Sequence, residues 1–497
     1  MSGVDGDAIT RRRPRAAGGA SAAGLAALGT LGPRALAAPA AAQNVIVIVL
    51  DNVRSDHVGA YGGRRVRTPA IDGLARESLL FSRYRPEVFP TIPARRSIMT
   101  GRRVYPFRGW RPEPGLPQEP GWQSIDRRIP VFTDVLGDAG WHTGYVTDNP
   151  HILSGAYDGF RARFDQPVTV KGQVPYRGRP PGQPVSRRTL NRHLLPKLRG
   201  TTTQRRIREY LTANKGRDGE ADYLSPRVFT EAARWVEGAV ARRTRFALVV
   251  DSFDPHEPWD PAPRYLRRFG PGRIGAVKPI QPFAPPGGSL KQFGLSRAAM
   301  RRVRNLYAAE LAMVDTWLGL FLGRVEQLGL MQNTLIVLMS DHGVLLGERG
   351  EVGKTEDQMH REITRVPLLI RDPAGRAAGR ASDYFASTHD IAPTVLSMLG
   401  RPVPRAMDGV DLSVLLRGRA PPRRRIFTAS YGRWVSAGDG RWLLICDNRG
   451  RKKRLYDTRR DPGERRNVAS RHPAVVRRLW RQVIADAGGR RLPRLRE

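Results

Sequence analysis

Cysteine is almost missing from this 497-residue chain: Cys446 stands alone, so no intrachain disulfide can brace the fold. That scarcity leaves the compartment open, since an exported protein can do without disulfides. Lysine is scarce as well, with eight residues. Acidic groups are outnumbered, 46 Asp and Glu against 84 Lys and Arg, which gives a formal charge of +38. Such a surface attracts polyanions: nucleic acid, anionic lipid, or a sulfated or phosphorylated polymer. The arginines are spread along the chain instead of forming one block, a pattern that equally fits a solvated surface. The apolar stretch at 16–31 is too short and too rich in Gly and Ala to cross a bilayer, so no integral membrane span is expected.

Residues 1–43 have the composition of a targeting segment. Thr10-Arg-Arg-Arg-Pro14 precedes the weakly apolar stretch, and Ala35-Leu-Ala37 and Ala40-Ala-Ala42 suit cleavage after small residues. Paired arginines before a mild apolar region resemble a twin-arginine export signal, which predicts a periplasmic or extracellular protein. The alternative is a cytoplasmic protein with a disordered basic leader.

What the chain does contain is a set of buried-strand patterns. Asn44–Leu50 is a continuous β-branched run, as expected for a strand covered on both faces, and residues 246–250 and 334–339 share its character. Each run ends in a polar cluster: Asp51-Asn52, Asp251-Ser-Phe-Asp254 and Ser340-Asp-His342. Helical patterns lie between them, at 226–240 with Ser225 as its cap and at 302–325. The alternation predicts an α/β fold, with a doubly wound, mostly parallel central sheet flanked by helices. Ligands then gather outside the carboxyl ends of the strands, where all three clusters fall. Residues 168–217 and 268–288, rich in Arg, Pro and Gly, read as loops that could border a cleft. Beyond about 400, short β-like runs at 424–431 and 441–446 and a helix at 473–487 predict a smaller C-terminal α+β subdomain spanning 401–497.

Chemistry concentrates in Thr91-Ile-Pro-Ala-Arg95. Pro93 suits the first turn of a helix running through Ser97, which places the Thr91 hydroxyl at a helix N-terminus that favours anions. Arg95, one turn in, is positioned to fork onto a tetrahedral oxyanion. Asp51, Asp341 and His342, with Asn52 adding an amide oxygen, suit one divalent cation. Oxygen-rich ligation favours Ca²⁺ or Mg²⁺, while the histidine keeps Mn²⁺ and Zn²⁺ open. A cation beside Thr91 would lower its hydroxyl pKa and neutralise a charged ester. His256 is a candidate proton donor to a leaving group, and Lys354 a candidate ligand for a substrate oxygen.

The order of these motifs resembles the sulfatase family of the alkaline phosphatase superfamily over residues 44–468. Thr68-Pro-Ala-Ile-Asp72 resembles its TPNID segment, and Thr91–Gly101 matches its C/S-x-P-x-R…T-G signature in register. Asp254-Pro-His256, Asp341-His-Gly343 with Gly353-Lys354, Arg365-Val-Pro-Leu-Leu-Ile370 and Leu455-Tyr-Asp457 continue the order. The resemblance implies an alkaline phosphatase-like fold with a catalytic domain at 44–400, and Ca²⁺ as the cation. It also implies a hydrolase acting on an anionic sulfate or phosphate ester.

Three departures from the pattern bear on mechanism. Known sulfatases make formylglycine from Cys or Ser at the position of Thr91, whereas oxidising threonine would give a ketone. Threonine is instead a direct nucleophile in phosphodiesterases, phosphomonoesterases and phospho-group transferases of the wider superfamily. Asn52 replaces a usual aspartate, and of the GKWH segment only His151 has a counterpart, one residue out of register. A second metal would need further ligands, for which Asp251, His256 and His389 are conceivable. These departures, with the +38 charge, leave a catalytically silent polyanion-binding protein as the alternative class.

Overall fold

Three parallel strands at the middle of one sheet determine where the chemistry sits. In the computed structural model, which describes residues 42–107, 110–176, 178–492 and 495, Asn44–Leu50 pairs with Thr334–Ser340 on one side and Phe246–Ser252 on the other. All three strands are buried along their whole length, as their unbroken apolar runs predict. Leu50 is level with both Ser340 and Ser252, so Asp51 and Asp341 leave the sheet side by side and Asp251 lies next to them.

The sheet has eight strands in the order Ala381–Ser382, Leu79–Phe81, Leu368–Arg371, Thr334–Ser340, Asn44–Leu50, Phe246–Ser252, His142–Thr147 and Gln166–Thr169. Only Leu368–Arg371 runs against its neighbours. Helices cover both faces. On one, Leu224–Ala241 and Arg297–Gln327 pack over Ile46, Ile48, Leu248 and Leu338; on the other, Thr91–Thr100, Phe132–Asp138 and Ile391–Met398 pack over Val45, Val47 and Val337. Arg297–Gln327 is long and apolar enough to cross a membrane, but two-thirds (67%) of its most apolar window is buried in this fold.

A second sheet has the order Arg454–Asp457, Trp442–Asp447, Trp434–Gly438, Phe427–Tyr431 and Val88–Phe89. Its last member comes from the first quarter of the chain, two residues before Thr91, and runs parallel to Phe427–Tyr431. The boundary expected at 400 is therefore bridged by a strand. Pro473–Asp486 packs against this sheet through Val476, Leu479 and Val483.

Several expectations need correction. The segment 168–217 contains the helices Arg187–Asn191 and Thr202–Ala213, whose Leu190, Ile207 and Tyr210 join the main core. Ser225 is not a cap: the helix begins at Leu224, and the Ser225 N–H donates to Asp254 Oδ2 at 3.0 Å. The leader motifs at 10–14 and 35–42 lie outside the described residues except for Ala42.

Gly144, on the His142–Thr147 strand, faces the Trp235 indole so closely that an added Cβ would lie 2.2 Å from Cε2. Gly144→Ala is expected to cost about 1–3 kcal/mol by overpacking, measured as a lower urea midpoint at unchanged slope. Unchanged stability would show that the Leu224–Ala241 helix can move off the sheet freely.

Candidate active site

Thr91 opens a ten-residue helix, Thr91–Thr100, whose every residue is buried. Pro90 precedes it, Pro93 sits in the first turn without loss of a hydrogen bond, and Gly101 ends it in the left-handed conformation at φ 62°. The sequence reading placed the start correctly but stopped the helix three residues early. The Thr91 hydroxyl lies 3.4 Å from His342 Nε2.

His342 Nε2 is also 3.6 Å from Asp51 Oδ1 and 3.4 Å from Asp341 Oδ2. Its other nitrogen, Nδ1, is 3.2 Å from the Gly343 carbonyl and is assigned as the N–H donor to it, which turns the Nε2 lone pair toward the carboxylates. Burial pushes this imidazole down to about 4, so it is neutral at pH 7. A lone pair facing two carboxylates is repulsive unless a proton or a cation lies between them. Asp51, Asp341 and His342 form a buried group whose ligand atoms lie within 4.8 Å of one another. Both Asp51 oxygens and both polar atoms of the Asn52 amide are buried without a hydrogen bond. The residues present therefore fit one divalent cation.

Asn52 holds φ 71°, a conformation that asparagine tolerates better than most residues. Its N–H donates to Asp341 Oδ1 at 3.1 Å and its carbonyl accepts from the Tyr307 hydroxyl at 3.0 Å, so the amide side chain is presented to the site by a pinned backbone.

Arg95 departs from its expected role. Its Nε and Nη2 fork onto Asp251 at 3.2 and 2.6 Å, Nη2 lies 3.2 Å from Asp51, and Nη1 contacts Asp341 and the Thr91 carbonyl. The guanidinium thus organises three buried carboxylates and has no free fork for a substrate oxyanion. Burial alone would weaken its charge, yet Asp251, Asp341 and Asp51 hold it firmly protonated. The same three carboxylates exceed the one guanidinium in charge, and burial together with Asp341 pushes Asp51 well above the carboxylate range. Asp341 goes the other way: burial opposes its ionisation, but Arg95 and His342 outweigh that.

Asp251 is committed to Arg95 and to the Tyr145 hydroxyl, which donates to it at 2.6 Å, and so is no second-metal ligand. His389 is also remote from that role, packed with Asp390 and Arg424. Tyr145 was missed in the sequence. The available signal was its place inside a strand pattern flanking the Asp251 strand.

His256 and Lys354 form a separate unit. Lys354 Nζ lies 2.8 Å from His256 Nε2, and His256 Nδ1 lies 2.7 Å from the Glu257 carbonyl. Burial, then the Lys354 charge, push His256 well below its ordinary value. The histidine is therefore neutral, with Nδ1 as donor and Nε2 as acceptor, so the expected proton donor has no proton on the atom facing Lys354. Lys354 owes its place to a close backbone crossing: Gly353 (φ 94°) passes Gly287 with no room for a Cβ, which would lie 2.6 Å from the Gly287 Cα. The His256 ring stacks on Phe253 at 4.1 Å, and His151 meets Phe253 at 6.2 Å, which brings the out-of-register histidine to the rim. Beside it, a cavity of about 400 Å³ is lined by Pro150, Lys171, Gln173 and Tyr176, so the beginning of the 168–217 segment does border a cleft.

With this geometry established, comparison with known proteins gives the class. The sulfatase family profile matches residues 43–401, and the N-sulphoglucosamine sulphohydrolase C-terminal profile matches 347–486. The chain belongs to the sulfatase family and is a sulfatase-like ester hydrolase of the alkaline phosphatase superfamily. It is 26% identical to a multifunctional alkaline phosphatase superfamily protein of Trinickia caryophylli, over 76% of this chain and 78% of the other. It is 24% identical to an N-acetylgalactosamine-6-O-sulfatase of Bacteroides thetaiotaomicron, over 88% and 91%. The phosphonate monoester hydrolase of Agrobacterium radiobacter shares its fold with a TM-score of 0.68 at 21% identity, covering 89% of this chain and 96% of that one.

Neutral buried histidines bind protons only after unfolding, near pH 6.5. Burial pushes His389 down to about 3. The contribution of each such histidine to the unfolding free energy should hold steady above pH 6.5 and fall as pH drops toward 4, by up to about 1.4 kcal/mol per pH unit. His389→Gln should make this acid slope shallower in urea titrations. An unchanged slope would mean that His389 is protonated in the fold.

Proposed function

We propose that the chain hydrolyses phosphoric or phosphonic esters, with sulfate esters as the second substrate class, using Thr91 as the nucleophile and one divalent cation. The observation that carries this reading is the Thr91 hydroxyl at a buried helix N-terminus, 3.4 Å from a neutral imidazole in an acidic cluster where the side-chain polar atoms of Asp51 and Asn52 have no hydrogen-bond partner. Asp51, Asn52, Asp341 and His342 would hold the cation, with Ca²⁺ favoured by family and Mg²⁺, Mn²⁺ and Zn²⁺ as alternatives. When bound, it supplies a Lewis acid that lowers the Thr91 hydroxyl pKa and offsets the ester's charge. Threonine at position 91, where formylglycine would need Cys or Ser, supports phosphorus over sulfur, and the sulfatase relatives keep sulfate esters as the second class.

The chain's own residues then divide the work. Thr91 Oγ, its proton lost to water, attacks the central atom, and the bond to the leaving oxygen breaks. The Lys354 ammonium, oriented by His256 Nε2, gives that oxygen a proton. Water then attacks the threonyl ester and returns a proton to Lys354; the Oγ bond breaks, Thr91 Oγ regains its proton from solvent, and the acid product leaves. Arg95 holds Asp51, Asp251 and Asp341 in register throughout. An acceptor alcohol in place of water would make the same centre a transferase.

The +38 charge motivates a second reading, a silent polyanion binder; it predicts salt-sensitive heparin binding without turnover. To decide, metal-stripped protein is reloaded separately with Ca²⁺, Mg²⁺, Mn²⁺ or Zn²⁺ and assayed on aryl phosphate, phosphonate and sulfate esters. Thr91→Ala should lower kcat at least about a thousandfold, while Thr91→Ser retains measurable turnover. Full activity in Thr91→Ala would refute the threonine mechanism, and no turnover with any metal would favour the silent binder.

Arg95→Met, which leaves three buried carboxylates without their shared cation, should destabilise the protein by about 3–5 kcal/mol. Added divalent metal should recover part of that loss in thermal unfolding, because it restores positive charge to the same carboxylates. No metal-dependent recovery would argue against cation binding by this cluster.

A further inference from the structure

A second concentration of positive charge lies at the same edge of the sheet. Leu79–Phe81 runs parallel to Thr334–Ser340, two strands away, and the chain after Phe81 meets the chain before Leu368 at the carboxyl edge. There a cavity of about 180 Å³ is lined by Arg83, Arg85, Arg361 and Arg365 with Phe385 and Phe427. None of Thr91, Asp51, Asp341, His342, His256 or Lys354 lines it.

These arginines are poorly neutralised, unlike those just outside. In the groove that continues from the cavity, Arg424 is forked onto Asp390 at 2.7 and 2.9 Å, Arg441 bridges Asp457 at 3.0 Å, and Arg478 bridges Asp439. Within the cavity, the Arg365 guanidinium has no hydrogen bond or ion pair among the described residues. Among the described residues the Arg85 guanidinium donates only to the Tyr84 carbonyl at 3.3 Å, and its Nε is buried without a partner. Arg361 donates to the Pro462 carbonyl at 2.9 Å, and Arg83 reaches Asp383 at 3.6 Å across a solvent-exposed pair. The one carboxylate lining the cavity, Glu464, accepts on Oε2 from His360 Nδ1 at 2.9 Å and the Arg361 N–H at 3.1 Å, and its single charge offsets part of four guanidiniums. Burial, then Arg365, push Arg85 down to about 9; burial, then Arg361, lower Arg365. Crowding guanidiniums in this way is costly unless an anion offsets them. The volume holds a tetrahedral oxyanion together with a few waters of about 30 Å³ each.

We propose that the Arg83–Arg85–Arg361–Arg365 cavity is an accessory oxyanion site that binds a phosphate or sulfate group, separate from the Thr91 centre. Arginine's planar fork suits that geometry, and four such groups around one cavity allow more than one bidentate contact. The bound group is either a second charge on the substrate or a free inorganic anion.

Calorimetric titration of the full chain with inorganic phosphate tests the site. A phosphate-binding class should survive Thr91→Ala and weaken at least about tenfold in Arg365→Gln. Turnover of a singly charged aryl ester by Arg365→Gln should stay within about twofold of wild type, since Arg365 is outside the reacting centre. A raised KM only for esters carrying a second anionic group would assign the site to the substrate. An unchanged KM, with the phosphate class lost, would assign it to a free anion. If Arg365→Gln fails to fold, Arg361→Gln, on a partly exposed side chain, carries the same test. Equal phosphate binding in wild type, Arg365→Gln and Arg361→Gln overturns the proposal, as does loss of the class in Thr91→Ala alone. Because turnover does not enter the binding readout, failure of the threonine mechanism leaves this test intact.

Discussion

Everything at the candidate site depends on one guanidinium held among three buried carboxylates. Arg95 touches Asp51, Asp251 and Asp341, each at or near the carboxyl end of a different central strand. Such a cluster is affordable only because the parallel register delivers the three side chains together and the Thr91–Thr100 helix brings the arginine down onto them. Three carboxylates outnumber the one guanidinium, and Asp51 keeps a 3.2 Å contact to Arg95 but no side-chain hydrogen bond, an excess that suits a cation. The helix that delivers Arg95 also carries Thr91, so nucleophile position and carboxylate geometry are set by one rigid element.

That helix is anchored from both sides of the molecule. Val88–Phe89, just before Thr91, is the outer strand of the C-terminal sheet, and Tyr431 of the same sheet donates its hydroxyl to the Lys354 carbonyl at 3.0 Å. The C-terminal sheet therefore positions both the proposed nucleophile and the proposed proton donor, although it contributes no group to the cation cluster. Sequence boundaries drawn at 400 conceal this, because pairing between residues 88–89 and 430–431 leaves no local trace.

The parts of the fold that were legible share a physical reason. Short continuous apolar runs at 44–50, 246–250 and 334–339, rich in Val and Ile, suit strands covered on both faces, and the polar residues closing each run mark the ligand edge. Asp51, Asp341, His342 and Thr91 followed from that edge and from one helix start. Arg95 was found but misread: sequence shows a charge one turn into a helix, not the three carboxylates that absorb it. His256 was misread in a similar way, since its protonation depends first on burial and then on Lys354, ninety-eight residues away. Helices at 187–191 and 202–213 were hidden by arginine and proline, whose composition signals loops while Leu190, Ile207 and Tyr210 supply the burial.

The central claim is a covalent ester on Thr91, and acid-quenched single turnover with an aryl phosphate tests it most directly. Mass analysis of the peptide containing Thr91 should show a gain of one phosphoryl group that appears with the burst of released phenol and decays with the steady-state rate. Phenol release at the normal rate with Thr91 unmodified at every quench time would contradict the account.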